Sequence, residues 1–185
     1  MAKCDGMVHL RRAREDDARG IAEVHVRTWQ QAYRDLLPVP YLNALDVDAR
    51  ERFWATELSV LPADRRPWLA EASGEVVGFA SVGPSNDEGM LPTSGEIYCI
   101  YVLPDCWDRG VGRSLLGHAE HDLLEHGYDI ATLWVLESNE RARRFYEVAG
   151  WQTDGAVKID RIGDREVNEV RYRRALDPSR TSTPD

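Results

Sequence analysis

"IYVLPDCWDRGVGRSLLGHAE", Ile100 to Glu120, decides the fold of this chain of 185 residues. An apolar run stops at Pro104, a short loop carries Gly110 and Gly112, and a pattern of helical spacing follows, with Val111, Leu115, Ala119 and Leu123 on one face. Glycines let backbone approach an anion closely, and a helix N-terminus turns unpaired N–H groups and a positive dipole end toward it. Arg109 and Arg113 add charge-assisted donors. A phosphate-bearing ligand is one expectation; a purely structural helix entry is the other. The GxxxxGK[ST] of a P-loop is absent. A dinucleotide fingerprint would need three glycines in an early βαβ unit, whereas this loop lies past the middle of the chain.

The length suits one well-cored domain, expected over residues 1–176, with the polar tail 177–185 expected to be disordered. Apolar residues make up 43% and charged residues 30%, the balance of a soluble globular protein. A net charge of −9 argues against a nucleic-acid backbone as partner. It is compatible with amine-bearing small molecules, although many cytosolic proteins are simply acidic, and that is the plainer reading. Cys4, Cys99 and Cys106 are scattered without a CxxC, which reads as neither a disulfide framework nor a zinc site. A reduced, cytoplasmic setting is the default expectation. No apolar run is long enough to span a membrane, and "MAKCDGMVHL" lacks the apolar core of a signal peptide.

Outward from the loop, the pattern alternates strands and helices. "VHLRRA" (8–13) reads as a first strand, and Ala18, Ile21, His25, Trp29 and Ala32 mark an amphipathic helix that ends before Pro38. "PYLNALDVDARERFWATEL" gives one or two short helices, and "RPWLAEASGEVVGFASVG" a hairpin about Ser73-Gly74. "PSNDEGMLPTSG" (84–95) is rich in turn residues and is expected to be a mobile loop. "EIYCIYVL" (96–103) is an unbroken strand and so expected to be central. After the loop helix come the strand "DIATLWVLE", a helix "SNERARRFYEVAG" with Ser138 as its expected N-cap, and a closing hairpin about Gly163-Asp164. The order is β-α-α-β-β-β-α-β-α-β-β, an α/β mixed sheet with helices on its faces.

The companion of the glycine loop is "LWVLESNERARRFYEVAGW", Leu133 to Trp151. With Asn139, Ala142, Phe145-Tyr146 and Gly150-Trp151 at these positions, the sequence resembles the GNAT superfamily of acyl-CoA-dependent N-acyltransferases. That family's pyrophosphate loop has the form Q/R-x-x-G-x-G/A, and element order agrees from Val8 to about Arg174. Trp107 departs from it, standing where Gln or Arg is preferred. The resemblance implies a mostly antiparallel sheet of six to seven strands with splayed central strands, and acetyl-CoA as co-substrate without a metal. The co-substrate would lie in a V-shaped gap between strands 96–103 and 129–137. Backbone of Ile100, Tyr101 and Val102 would bond its pantetheine, together with Asn139 and Ala142. Amides of Arg109, Gly110, Val111, Gly112, Arg113 and Ser114 would hold its pyrophosphate.

The reaction so implied is attack of a neutral amine on a thioester in a ternary complex, helped by a base, oxyanion donors and an acid for the thiolate. Glu96 is the expected base, six residues before Val102, whose amide is the expected oxyanion donor. The alternative for Glu96 is a solvated strand end. Tyr146 is the expected general acid, with a core aromatic as the alternative and Phe145 assigned to the core. Trp29, Tyr33 and Tyr98 are expected to line the acceptor pocket, core packing being the equal alternative for Trp29. His25 is read as a satisfied helix histidine, and His118, His121 and His126 as solvated. Cys99 is read as core and Cys106 as structural or incidental. The acceptor is expected to be a small or amino-acid-like amine. Rival readings are a peptide or protein amine, a silent acyl-CoA-binding module, and a nucleotide-binding domain. A homodimer is compatible with all of them.

Overall fold

The computed structural model describes Cys4 and residues 6–177; residues 178–185 of the expected tail lie outside the described residues. Strand β1 (Val8–Arg12) is followed by α1 (Ala18–Ala32), α2 (Val39–Asn43), α3 (Val47–Val60), β2 (Trp68–Ala72), β3 (Glu75–Pro84) and β4 (Ser94–Val102). Then come α4 (Val111–Glu125), β5 (Ile130–Leu136), α5 (Glu140–Val148), β6 (Gln152–Ile162) and β7 (Arg165–Ala175). This is the order expected from the sequence with one helix more before β2, since "PYLNALDVDARERFWATEL" forms two helices, α2 and α3. The seven strands form one mostly antiparallel sheet in the order β1-β2-β3-β4-β5-β7-β6, with β4 and β5 parallel. Contacts divide the chain into two units, Met1–Ser81 with Cys99–Leu116, and Val82–Tyr98 with Gly117–Asp185.

In the first unit, β1 pairs with β2 and β2 with β3, both antiparallel, with a register shift at Ala70/Glu71. Helix α1 packs on α3, burying Ile21, Val24 and Leu58 beside Leu69, Val77 and Phe79. Asp46 caps α3, its carboxylate accepting the Ala49 N–H at 2.6 Å. Cys4 and Cys106 are joined in a disulfide. This corrects the reading of unconnected cysteines: the two stand 102 positions apart in the chain, so no local spacing announces the bond.

In the second unit, β5 pairs antiparallel with β7 from Ile130↔Ala175 to Leu136↔Glu169, and β7 pairs with β6 about Gly163. The parallel ladder of β4 and β5 covers Ser94–Glu96 against Ile130–Thr132, although β5 continues to Leu136. Leu123, Leu133, Trp151 and Tyr172 make the interior. Gly95 is required by close approach: a Cβ there would lie 2.6 Å from Leu123 Cδ2 and 3.0 Å from Tyr128 Cγ. The 84–95 segment was expected to be mobile, but its beginning is tied down. Ser85 N–H donates to the Ser94 carbonyl at 2.9 Å, and Asp87 accepts from Trp134 and Arg171.

Candidate active site

In the first unit, β4 ends at Val102, and its carbonyl is held twice. The Thr28 hydroxyl donates to it at 3.1 Å and the Trp107 indole N–H at 2.7 Å. Trp107 is the residue that departs from the Gln-or-Arg preference, and here it fixes the strand end from which the loop leaves. The loop then turns through Asp108 (φ 58°) and Gly110 (φ 82°) before Ser114 N–H makes the first helical bond to the Gly110 carbonyl at 3.0 Å. The N–H groups of Val111, Gly112 and Arg113 therefore have no acceptor within α4. Arg109, Gly110 and Arg113 are exposed, and Arg109 Nη1 donates to the Cys4 carbonyl at 3.2 Å.

Also in this unit, Trp29 stacks edge-on with Tyr33 at 5.0 Å and lies 6.4 Å from Tyr101. His25 sits at the centre of an aromatic cluster, 4.9 Å from Tyr101, 5.5 Å from Trp29, 6.2 Å from Phe79 and 6.4 Å from Trp54. Neither His25 nitrogen has a hydrogen-bond partner, nor do the buried indole nitrogens of Trp29 and Trp54. The expected satisfied histidine is therefore corrected to a buried, unsatisfied one. Its imidazole is pushed down to about 3 by burial and, secondarily, by the Arg50 guanidinium. Burial pushes the Cys99 thiol up to about 12, so it is protonated at neutral pH.

In the second unit, Glu96 is half-buried on β4, and its Oε2 accepts the Asn86 N–H at 3.1 Å. Burial raises its carboxyl above the ordinary range, with the Asp87 charge adding, against the Asn86 bond, Lys158 and Ser85. The Tyr98 hydroxyl donates to the Pro84 carbonyl at 2.7 Å, and burial with the Glu96 charge pushes it up to about 12. Ser85, Asn86 and Asp87 thus gather around two expected site residues. Sequence reading missed all three, because "SNDEG" shows only turn chemistry.

Helix α5 starts at Asn139, whose side-chain oxygen accepts the Ala142 N–H at 3.1 Å. Asn139, not Ser138, is the N-cap; its side-chain oxygen accepts the capping bond and its NH₂ carries two donors. Tyr146 is the buried residue of α5, 5.0 Å from Phe145, 6.0 Å from Trp151 and 6.2 Å from Tyr172. Phe145, expected in the core, is half-exposed instead. His126, expected to be solvated, is tucked against Asp122: its Nδ1 lies 2.8 Å from the Asp122 carbonyl and 3.4 Å from its carboxylate. Among the described residues no group of His, Cys, Asp and Glu could hold a metal ion, and no helix is long and apolar enough to cross a membrane.

The sequence model of the Acetyltransferase (GNAT) family matches residues 12–151. An uncharacterized N-acetyltransferase of Bacillus subtilis is 37% identical over 136 residues, covering 72% of this chain and 74% of the relative. The PaiA N-acetyltransferase of Thermoplasma acidophilum, solved with coenzyme A, superposes with a TM-score of 0.72 at 16% identity, over 91% of this chain and 99% of that one. A putative acetyltransferase of Salmonella typhimurium, solved with acetyl-CoA, gives a TM-score of 0.69 at 20% identity, covering 97% and 98% of the two chains.

Proposed function

Because the chain belongs to the GNAT acetyltransferase family and is an acyl-CoA-dependent N-acetyltransferase, we propose that it acetylates the primary amine of a small or amino-acid-like acceptor by direct attack in a ternary complex. The observation that carries this reading is the half-buried Glu96 carboxylate, held by a backbone amide and raised above the ordinary carboxyl range by burial. A carboxylate so placed is matched to taking the proton of an ammonium near neutral pH, directly or through water. The net charge of −9 favours a cationic acceptor during encounter. In this reading the half-buried rings of Trp29 and Tyr33 supply apolar walls suited to its carbon skeleton.

Acetyl-CoA supplies the activated acyl group. The residues present fit it: α4 begins with amides that lack helical acceptors, and the β4–β5 ladder covers only the pairs up to Glu96↔Thr132. In this reading the first unit's amides of residues 109–113 bind the pyrophosphate, that of Ser114 being spent on the Gly110 carbonyl, and its Ile100, Tyr101 and Val102 backbone the pantetheine; in the second unit the Asn139 NH₂ and Ala142 are assigned to pantetheine binding. The Val102 N–H stabilises the developing oxyanion, the double anchoring of its carbonyl fixing the end of β4 in place. Tyr146 holds the proton for the departing thiolate, and its packing against Trp151 and Tyr172 fixes the ring.

The test is mass spectrometry of products from acetyl-CoA and a panel of amino acids, polyamines, aminoglycosides and peptides with free N-termini. Glu96→Gln and Tyr146→Phe are run beside the native protein. A small-amine product that falls about a hundredfold or more in each variant is the expected result. An unchanged rate in either variant removes that residue's role. Product from peptides alone overturns the acceptor class.

A further inference from the structure

The segment from Pro84 to Asp87 is held along its whole length, residue by residue. Pro84 accepts the Tyr98 hydroxyl at 2.7 Å, and Ser85 N–H donates to the Ser94 carbonyl at 2.9 Å. Asn86 N–H donates to Glu96 Oε2 at 3.1 Å, and Asp87 N–H to Ser85 Oγ at 3.4 Å. The Asp87 carboxylate is then the anchor of the turn. Trp134 Nε1 donates to its two oxygens at 3.0 and 3.2 Å, and Arg171 Nη1 donates at 2.9 Å. Trp134 and Arg171 face each other across the β5–β7 ladder, so one carboxylate bridges a cross-strand pair. Arg171 is itself braced, Nε donating to Asp154 at 2.8 Å. Lys158, paired with Glu169 at 3.0 Å, lies over the Trp134 ring at 4.4 Å. The Arg171 and Asp87 side chains are 17% and 18% exposed, so this ion pair is shielded enough to hold a geometry.

We propose that Asp87 is a positioning residue for acetyl transfer: through Trp134 and Arg171 it fixes the Ser85–Asp87 turn on β5 and β7, and so holds the Asn86 amide on the Glu96 carboxylate. The inference rests on the reading of Glu96 as the base. An exposed turn left to itself samples many conformations, and a base must stay within hydrogen-bond reach of the proton it removes. Asp87 thereby converts a flexible connection into part of a fixed site. The charged and titratable groups around Glu96 are Asp87 on the turn, Lys158 on β6, and Tyr98 on β4 itself. The Asp87 charge raises the Glu96 carboxyl, and removing it lowers that carboxyl.

The experiment uses the full chain as native protein and as Asp87→Ala, Asp87→Asn, Trp134→Phe and Glu96→Gln. Folding is checked by thermal melts. Two readouts are taken: acetyl transfer from acetyl-CoA to a mixture of amino acids and spermidine across pH, and ¹³C NMR titration of the glutamate carboxyls, with Glu96 assigned by Glu96→Gln. Asp87→Ala is expected to lose about ten- to a hundredfold in rate. Asp87→Asn, which keeps an acceptor for the indole, recovers part of that rate and moves both the acid limb and the Glu96 titration to lower pH. Trp134→Phe falls between native and Asp87→Ala. A folded Asp87→Ala with native rate, or Asp87→Asn with the native Glu96 titration, overturns the inference. An active Glu96→Gln instead removes Glu96 as base, while the NMR titration still decides whether Asp87 governs the Glu96 environment.

Discussion

Lowering the pH from 7 to 5 tests the burial of His25. The side chain is 8% exposed, both ring nitrogens lack partners, and four aromatic rings surround it. Burial first, then the Arg50 guanidinium, pushes the imidazole down to about 3, against an unfolded value of about 6.5. The folded pKa is the lower one, so the fold prefers neutral imidazole. Its contribution is complete above the unfolded pKa and is lost as pH falls from there toward 3. From pH 7 to pH 5 the unfolded state takes up about three-quarters of a proton that the folded state refuses, which costs about 2 kcal/mol at this one site. Urea unfolding of native protein and His25→Leu at both pH values isolates the effect, because the other titrating groups are common to both. The stability difference between the two proteins should move by about 2 kcal/mol toward the variant at pH 5. A difference that is the same at both pH values refutes the argument, and means that His25 is hydrated or protonated in the fold.

Trp107→Phe removes the indole N–H from the Val102 carbonyl but keeps the ring. It should cost about 1 kcal/mol in chemical denaturation and raise the KM for acetyl-CoA, whereas an unchanged KM detaches this anchor from the site. Gly95→Ala brings a methyl to within 2.6 Å of Leu123 Cδ2, one residue before Glu96. A loss of about 1–3 kcal/mol in thermal unfolding is expected, and a neutral outcome means that Leu123 and Tyr128 yield freely. Reducing the Cys4–Cys106 bond, or the substitution Cys106→Ser, should lower stability by about 2–4 kcal/mol, read as a lowered Tm with and without reductant. An identical Tm shows that the link does not constrain the unfolded chain.

The fold was legible where periodicity and punctuation agree. Helix α1 follows from Ala18, Ile21 and His25, and the β6–β7 hairpin from the Gly163-Asp164 turn. What escaped are connections made by side chains far apart in sequence. Cys4 meets Cys106, Thr28 and Trp107 meet at one carbonyl, and Trp134 donates to a carboxylate 47 residues earlier. Local pattern carries no term for these, and yet each had a weak mark. A Trp inside a buried strand must place its N–H somewhere, and that demand on Trp134 leads to Asp87. The same demand on Trp29 and Trp54 leads nowhere, since both indole nitrogens are buried without partners beside His25. Each such group costs about 1–3 kcal/mol.

Those orphaned groups and the Glu96 turn differ in how the fold treats a polar residue that it buries. Around Glu96 the chain supplies a backbone donor, an anchored carboxylate and a lysine, and so keeps the ionised form available while raising the carboxyl. Around His25 it supplies aromatic faces and the Arg50 charge but no hydrogen-bond partner, and protonation is suppressed. A group meant to exchange protons near neutrality needs the first kind of surroundings. That is why Glu96, and not the histidine whose unperturbed pKa lies nearer to 7, is the residue to mutate first in search of the base.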